Sequence, residues 1–187
     1  TFAEMLEAMS KTAFGGRNLG EAFGVLKAMA DDPDCTIVLT ISGAMTVAKM
    51  GKVVCEMIQS GLAHVVISTG ALMAHGLTHY KHDPRTPDKA LYEQGYNRVY
   101  DTLEMEANLC QAERVVSAVL AEFDWTRPTC SSEVTREIGR YLVEHGQMPS
   151  ILGCAFAKGV PVYVPALTDS ELGLDLATHI LAKTTVN

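Results

Sequence analysis

Three short segments rich in glycine and hydroxyl residues each follow an apolar run, and together they could bind an anionic ligand. They are Ser42–Thr46 (SGAMT), Ser68–Ala71 (STGA) and Thr168–Gly173 (TDSELG). Where a helix follows such a turn, its first backbone N–H groups are unpaired and attract phosphate or carboxylate groups. The same residue types also cap the helices of any α/β domain, so both interpretations stay open.

The first two turns sit in a predicted βαβ unit. Apolar runs at Thr36–Ile41 and His64–Thr69 flank a helical pattern from Val47 to Ser60. Both runs are continuously apolar, which is typical of parallel strands covered by helices on both faces. Because parallel strands end at the same edge of a sheet, the two turns are expected side by side where open α/β sheets bind ligands.

A third buried strand is predicted at Val160–Leu167, followed by the third turn and a helix over Leu174–Lys183. The fold class predicted is therefore α/β, with a parallel sheet flanked by helices. Near the N-terminus, two helices are predicted at Phe2–Lys11 and Glu21–Ala30, separated by a glycine-rich break. The polar segment Tyr80–Glu106 is too long for a plain connection and is predicted to be a functional excursion or an oligomer contact.

The composition is that of an ordinary globular protein, with 48% hydrophobic and 20% charged residues. The net charge of −7 argues against a nucleic-acid surface. The five cysteines are widely spaced and form no CxxC pair, which favours free thiols and a cytoplasmic location. Cys35 and Cys55 are expected to be buried thiols. No apolar run is long enough to span a membrane.

The length of 187 residues is that of one domain. The sequence begins at Thr1 within a helical pattern and ends at Asn187 where another strand is expected. We therefore predict a single α/β domain over residues 1–187 of a processed or truncated polypeptide.

Other motifs that carry chemistry are weak. His75, His79 and His82 have the spacing of one helix face, which could bind a metal. The nearby Pro84 favours a frayed helix end instead, and no metal is predicted. The turn after the first strand has a single Gly43 in place of GxGxxG, so the motif is not that of a standard Rossmann site. There is no GxSxG elbow and no P-loop.

Longer stretches of the chain resemble the deoxyhypusine synthase family. Besides SGAMT and STGA, they are Phe14–Phe23 (FGGRNLGEAF), Gly95–Leu109 (GYNRVYDTLEMEANL) and Gly159–Asp175 (GVPVYVPALTDSELGLD). The resemblance keeps the order of the family and covers almost the whole chain. PALTDSELG, at Pro165–Gly173, is its most specific piece.

The resemblance implies a variant Rossmann-like NAD-binding fold and a homotetramer with active sites between paired subunits. Family members use NAD to oxidise spermidine at a secondary amine. An enzyme lysine then carries the aminobutyl group as an imine and passes it to a lysine of a translation factor precursor. Related members use other amine donors or acceptors, such as putrescine or agmatine.

Residues at the matching positions of the family are expected to bind NAD: Ser42, Gly43, Ala44, Met45, Thr69, Gly70, Ala71 and Asp169. His75 and Asp175 are expected to bind the substrate. The chain departs from the family at two places. Ala74 and His75 stand where eukaryotic members have two adjacent glutamates, and Leu174 stands at the family's polyamine-binding aspartate, with Asp175 next to it.

The family's catalytic lysine and its second glycine-rich NAD turn belong to a C-terminal part that the 187 residues do not include. Neither Lys158 nor Lys183 lies in the family's lysine motif. The leading hypothesis is the N-terminal portion of an NAD-dependent aminobutyl transferase. The alternatives are a non-catalytic, NAD-binding paralogue that regulates such an enzyme, and an unrelated nucleotide-binding domain.

Overall fold

The computed structural model describes residues 1–78, 80–147 and 149–184, in two compact units, residues 1–37 and 38–187. The prediction of a single domain over the whole chain stays a prediction. In chain order the elements are α1 (Phe2–Met9), α2 (Phe14–Asp31), β1 (Val38–Ile41), α3 (Gly51–Gln59), β2 (Val65–Ser68), α4 (Gly70–His75), β3 (Tyr80–His82), α5 (Asp88–Glu93), β4 (Tyr96–Val99), β5 (Thr102–Met105), α6 (Glu106–Glu122), α7 (Ser131–Glu144), α8 (Ile151–Lys158), β6 (Val162–Tyr163) and α9 (Glu171–Thr184).

The N-terminal unit is a pair of helices, α1 and α2. The predicted glycine-rich break is wrong, because α2 begins at Phe14 and runs through the glycines. Glycine at position 20 is needed for packing: a Cβ there would lie 2.2 Å from the backbone nitrogen of Ser10 and 2.6 Å from the carbonyl oxygen of Leu6. Close helix contact therefore outweighs the low helix propensity of glycine.

The second unit contains the predicted parallel sheet, which is confirmed. Its strand order is β1–β2–β6, and both pairings are parallel. The predicted helix between the first two strands is α3, although it starts at Gly51 and not at Val47. A turn occupies the preceding residues, with Lys49 in the left-handed region at φ +61°. The three strands point the same way, so their C-terminal ends form one edge.

Strand β6 is much shorter than the predicted strand Val160–Leu167. Only Val162 and Tyr163 pair with β2, since the flanking prolines lack a backbone N–H. Helix α7 covers the outer edge of β6. The hydroxyl of Thr135 donates to the carbonyl of Val162 at 2.7 Å, and the N–H of Val164 donates to the hydroxyl of Ser131 at 3.0 Å. Side chains thus replace a fourth strand at this edge.

The polar segment predicted as an excursion forms an antiparallel sheet in the order β3–β5–β4, together with α5. Arg98 in β4 links the parts of this sheet. Its guanidinium donates to the carboxylate of Asp88 at 2.6 Å and to the carbonyls of Thr86 and Asp83. In β5, Thr102, Leu103 and Glu104 are all buried, so the sheet packs on both faces.

One hydrophobic core joins the helices to the parallel sheet in the second unit. Its fully buried members include Ile58 of α3, Val66 of β2, Leu120 of α6, and Ile138 and Leu142 of α7. Each such aliphatic side chain contributes about 1.5–3 kcal/mol by burial. Cys55 belongs to this core as a buried free thiol, as predicted, whereas Cys35 is half-buried. None of the helices within the described ranges is both long and apolar enough to cross a membrane.

Replacing Thr135 by valine should destabilise the second unit. Valine keeps the shape of threonine, but the carbonyl of Val162 loses its donor in a buried position. We expect a loss of about 1–3 kcal/mol in the free energy of unfolding, measured by urea denaturation. Thr178→Val, on an exposed part of α9, is the control and should change this free energy by less than about 0.5 kcal/mol. Equal effects of the two substitutions would contradict the role given to Thr135.

Candidate functional site

The three predicted turns meet at the C-terminal edge of the parallel sheet. They surround an open cleft with a volume of about 490 Å³, which we call the rim cleft. This volume lies within the range of small-molecule sites. The lining residues come from the ends of β1, β2 and β6 and from the turns that follow: Thr40, Ile41, Ser42, Ile67, Ser68, Thr69, Gly70, Ala71, Pro165, Ala166 and Asp169.

The rim cleft brings together five of the residues predicted to bind the cofactor: Ser42, Thr69, Gly70, Ala71 and Asp169. The other three, Gly43, Ala44 and Met45, are exposed but do not line it. Gly43 has φ +73°, and a Cβ at this position would meet nothing within 4 Å. The first turn therefore needs glycine for its backbone conformation, and the space beside it is open.

Gly70 holds the second turn against the third. A Cβ at position 70 would lie 2.1 Å from the hydroxyl oxygen of Ser170, closer than any real contact. The Ser170 hydroxyl donates to the carbonyl of Leu167 at 2.6 Å and accepts from the N–H of Gly173 at 3.2 Å. Ser170 thus caps α9 and fixes the loop that carries Asp169. Sequence reasoning missed this residue, although its place in TDSELG before a helix is a typical capping signal.

The lining of the rim cleft combines an apolar floor with a few polar groups. Ile41, Ile67 and Ala166 supply apolar surface, whereas Thr69 and Asp169 are polar and exposed. The Thr69 hydroxyl also accepts from the N–H of Leu72 at 3.4 Å, which caps α4. An exposed carboxylate at the end of a parallel strand can accept hydrogen bonds from the hydroxyls of a ligand.

His75, predicted to bind substrate, lies in a different pocket. This pocket has a volume of about 410 Å³, and Lys49 and Lys52 also line it. The ring nitrogen Nδ1 of His75 lies 3.7 Å from the Oε2 atom of Glu104, whose side chain is 5% exposed. The nearby carboxylate raises the pKa of His75 above its ordinary value, although partial burial opposes this shift. Sequence reasoning missed Glu104, because a buried carboxylate in a short strand has no sequence signature.

Asp175 lies on α9, is half-buried and does not line the rim cleft. Burial raises the pKa of its carboxyl to about 6, and repulsion from Glu171 and Glu113 adds to the shift. We call these three residues the acidic cluster. Its negative charge is suited to a cationic group and is destabilising without one.

The two described members of the histidine series, His75 and His82, each lie beside a carboxylate of a different residue. His79 lies outside the described residues. Within residues 1–78, 80–147 and 149–184, no three His, Cys, Asp or Glu side chains gather closely enough to hold a metal ion. His82 instead lies 3.4 Å from the carboxylate of Asp101, at the exposed end of β3.

Comparisons with known proteins agree on one family. Residues 4–187 match the family model described as deoxyhypusine synthase. The deoxyhypusine synthase-like protein of Chlorobaculum tepidum is 32% identical over 183 residues, which are 94% of this chain and 52% of the relative. That of Chlorobaculum parvum is 31% identical over 185 residues, with coverages of 94% and 52%. The chain thus spans about half the length of the curated relatives it matches.

A crystal structure from Entamoeba histolytica, described as a deoxyhypusine synthase, has a similar fold. The TM-score is 0.68, and the match covers 95% of this chain and 63% of the other. Sequence identity between the two is 13%, so this likeness concerns the fold alone. It agrees with the parallel sheet and flanking helices described above, which are the predicted fold class.

Replacing Glu104 by glutamine should lower the pKa of His75. Glutamine keeps the size of the side chain but replaces the charged acceptor, whose hydrogen bond and negative charge raise the pKa of His75. The measurement is an NMR titration of the histidine ring signals. Glu93→Gln, at an exposed site in α5, is the control and should leave the His75 titration unchanged. An unaltered His75 pKa in Glu104→Gln would contradict the pairing.

Replacing Asp175 by asparagine should stabilise the protein at neutral pH but not in acid. The folded pKa of about 6 lies above the ordinary value of 3.8, so the charged form costs stability as pH rises through this interval. Because the group is partly exposed, we expect a gain of only about 1 kcal/mol near pH 7.5, which is about 3 °C in Tm. The gain should vanish near pH 4.

Thermal unfolding at both pH values checks this prediction. Asp34→Asn, an exposed aspartate in the loop before β1, removes the same charge and is the control. If both variants changed Tm equally, net charge and not the acidic cluster would explain the effect.

Proposed function

The chain belongs to the deoxyhypusine synthase family, and from this membership we propose that it supplies the NAD-binding part of an aminobutyl transferase. The enzyme would transfer the group from spermidine or a related amine to an amine acceptor, either a small polyamine or a lysine of a translation factor precursor. The lysine that carries the group would come from outside residues 1–187. The convergence of three turns on the rim cleft is the observation that carries this proposal.

The residues of the rim cleft fit part of a dinucleotide. We assign Asp169 to the hydroxyl groups of a ribose, because its carboxylate is exposed in the cleft. The hydroxyls of Ser42 and Thr69 would orient the ligand, and Ile41 and Ile67 would exclude water from it. The open space beside Gly43 leaves room for the ligand to extend past the first turn. Bound NAD would supply the acceptor for a hydride from the amine.

The acidic cluster supports the choice of a cationic amine as substrate. Burial raises the pKa of Asp175, and repulsion from the carboxylates of Glu171 and Glu113 adds to the shift. A bound ammonium group would relieve this repulsion and lower that pKa again. Asp175 is therefore the residue that we assign to the amine.

We also propose that the protein works as a homotetramer in the cytoplasm. Helix α9 exposes the large apolar side chains of Leu174, Ile180 and Leu181, which a subunit contact would cover. Five free cysteines are compatible with a reducing compartment.

A regulatory, NAD-binding paralogue is the second candidate function. The residues that stand at the family's pair of glutamates favour it, because neither carries a carboxylate. Ala74 is 3% exposed, and His75 lines a pocket together with two lysines. Such a paralogue would bind NAD and stimulate an active homologue without transferring the group itself. Mixing the protein with an active homologue and measuring amine transfer would separate the two candidates.

Asp169→Asn should weaken NAD binding while leaving the fold unchanged, since the side chain is exposed. We expect the affinity to fall about tenfold, the effect of losing one charged hydrogen-bond acceptor. Fluorescence titration with NAD measures the affinity, and thermal unfolding checks the fold. Asp31→Asn, an exposed aspartate at the end of α2, is the control. The proposal fails if the protein binds no NAD or if both variants bind NAD equally well.

A further inference from the structure

A second pocket of the chain has a charge opposite to that of the acidic cluster. It lies among the turn before α3, the end of α4 and the start of α8, and we call it the lysine pocket. Its polar lining consists of Thr46, Lys49, Lys52, His75, Thr78 and Ser150. It shares no lining residue with the rim cleft. We propose that the lysine pocket binds an anionic group, a phosphate or a carboxylate.

The charges of the two lysines in this pocket are not neutralised by ion pairs. Within the described part of the chain, no ion pair uses Lys49 or Lys52. His75 is different, because Glu104 lies beside it and keeps it protonated to a higher pH. A protonated imidazole is a donor at both ring nitrogens. The net charge of the protein is −7, so the two lysines give this pocket a local charge opposite in sign to that of the whole protein.

The start of α3 adds hydrogen-bond donors to the lysines. This nine-residue helix has no side-chain cap within the described residues, and Gly51 and Lys52 of its first turn line the pocket. A Cβ on Gly51 would meet nothing within 4 Å, so the space in front of this turn is open. Uncapped N–H groups beside lysine side chains form a favourable environment for anionic oxygen atoms.

The backbone at Lys49 is a further sign of a functional position. Lys49 has φ +61°, a left-handed conformation that is unfavourable for residues other than glycine. Such strain persists where the surrounding structure imposes it, and it concentrates at ligand sites. The hydroxyl of Thr46, which donates to the carbonyl of Leu72 at 3.3 Å, ties this turn to α4.

The two lysines make this pocket more favourable for an anion than for a polyamine. An ammonium group would be repelled by the two lysines, whereas a phosphate or carboxylate would accept hydrogen bonds from them. The volume of about 410 Å³ admits a small anion or the anionic end of a larger molecule. The anion could belong to the dinucleotide or to a second substrate, and the test separates these sources.

Inorganic phosphate is the probe, and its affinity is measured by isothermal titration calorimetry. We expect saturable binding that falls about tenfold in the double variant Lys49→Gln and Lys52→Gln. The control is Lys11→Gln with Lys89→Gln, which removes the same charge from exposed sites elsewhere and should change the affinity less than about twofold. Lys52→Gln alone, on the exposed side of α3, repeats the test if the double variant unfolds.

Competition with NAD then identifies the source of the anion. If NAD displaces phosphate, the pocket binds a phosphate of the dinucleotide. If the two bind together, it binds an anionic group of another substrate. The proposal is overturned if the unmodified protein shows no saturable phosphate binding or if both pairs of substitutions weaken it equally. Neither result depends on Asp169, so this test can fail while the proposed NAD site in the rim cleft stands.

Discussion

The close contact between Gly70 and Ser170 holds the candidate site together. It joins the start of α4 to the start of α9, two elements that are about 100 residues apart in the chain. Only a residue without a Cβ allows this approach. Since Ser170 also caps α9, the contact fixes the position of the loop that carries Asp169. The rim cleft therefore depends on tertiary packing at a glycine, in addition to the turns themselves.

The parallel sheet provides the frame for this contact, and helix α7 limits the sheet. Strand β6 has only two paired residues, and its outer edge is satisfied by the hydroxyls of Ser131 and Thr135. An exposed edge would offer unpaired backbone groups to other chains. Helix α7 protects this edge, and the rim cleft forms at the C-terminal ends of the three strands.

Charge is distributed unevenly around this frame. Burial and the neighbouring carboxylates of Glu171 and Glu113 raise the pKa of Asp175, whereas Lys49 and Lys52 line the lysine pocket. A single ligand class does not suit both places. The two proposals therefore assign a cationic amine to the acidic cluster and an anionic group to the lysine pocket, according to the sign of each local charge.

The sequence by itself determined the parallel sheet, because continuous apolar runs separated by a helical pattern have few other solutions. It also identified the three turns, since glycine and hydroxyl residues at strand ends are local features. The extent of α2 and β6 could not be predicted: Gly20 of α2 packs against α1, and the flanking prolines shorten β6. Only the tertiary structure decided which residues share a cavity. It brought Ser42, Thr69 and Asp169 together, and it placed His75 beside Glu104 and two lysines. Such groupings depend on contacts between distant segments, for which a single sequence carries no local signal.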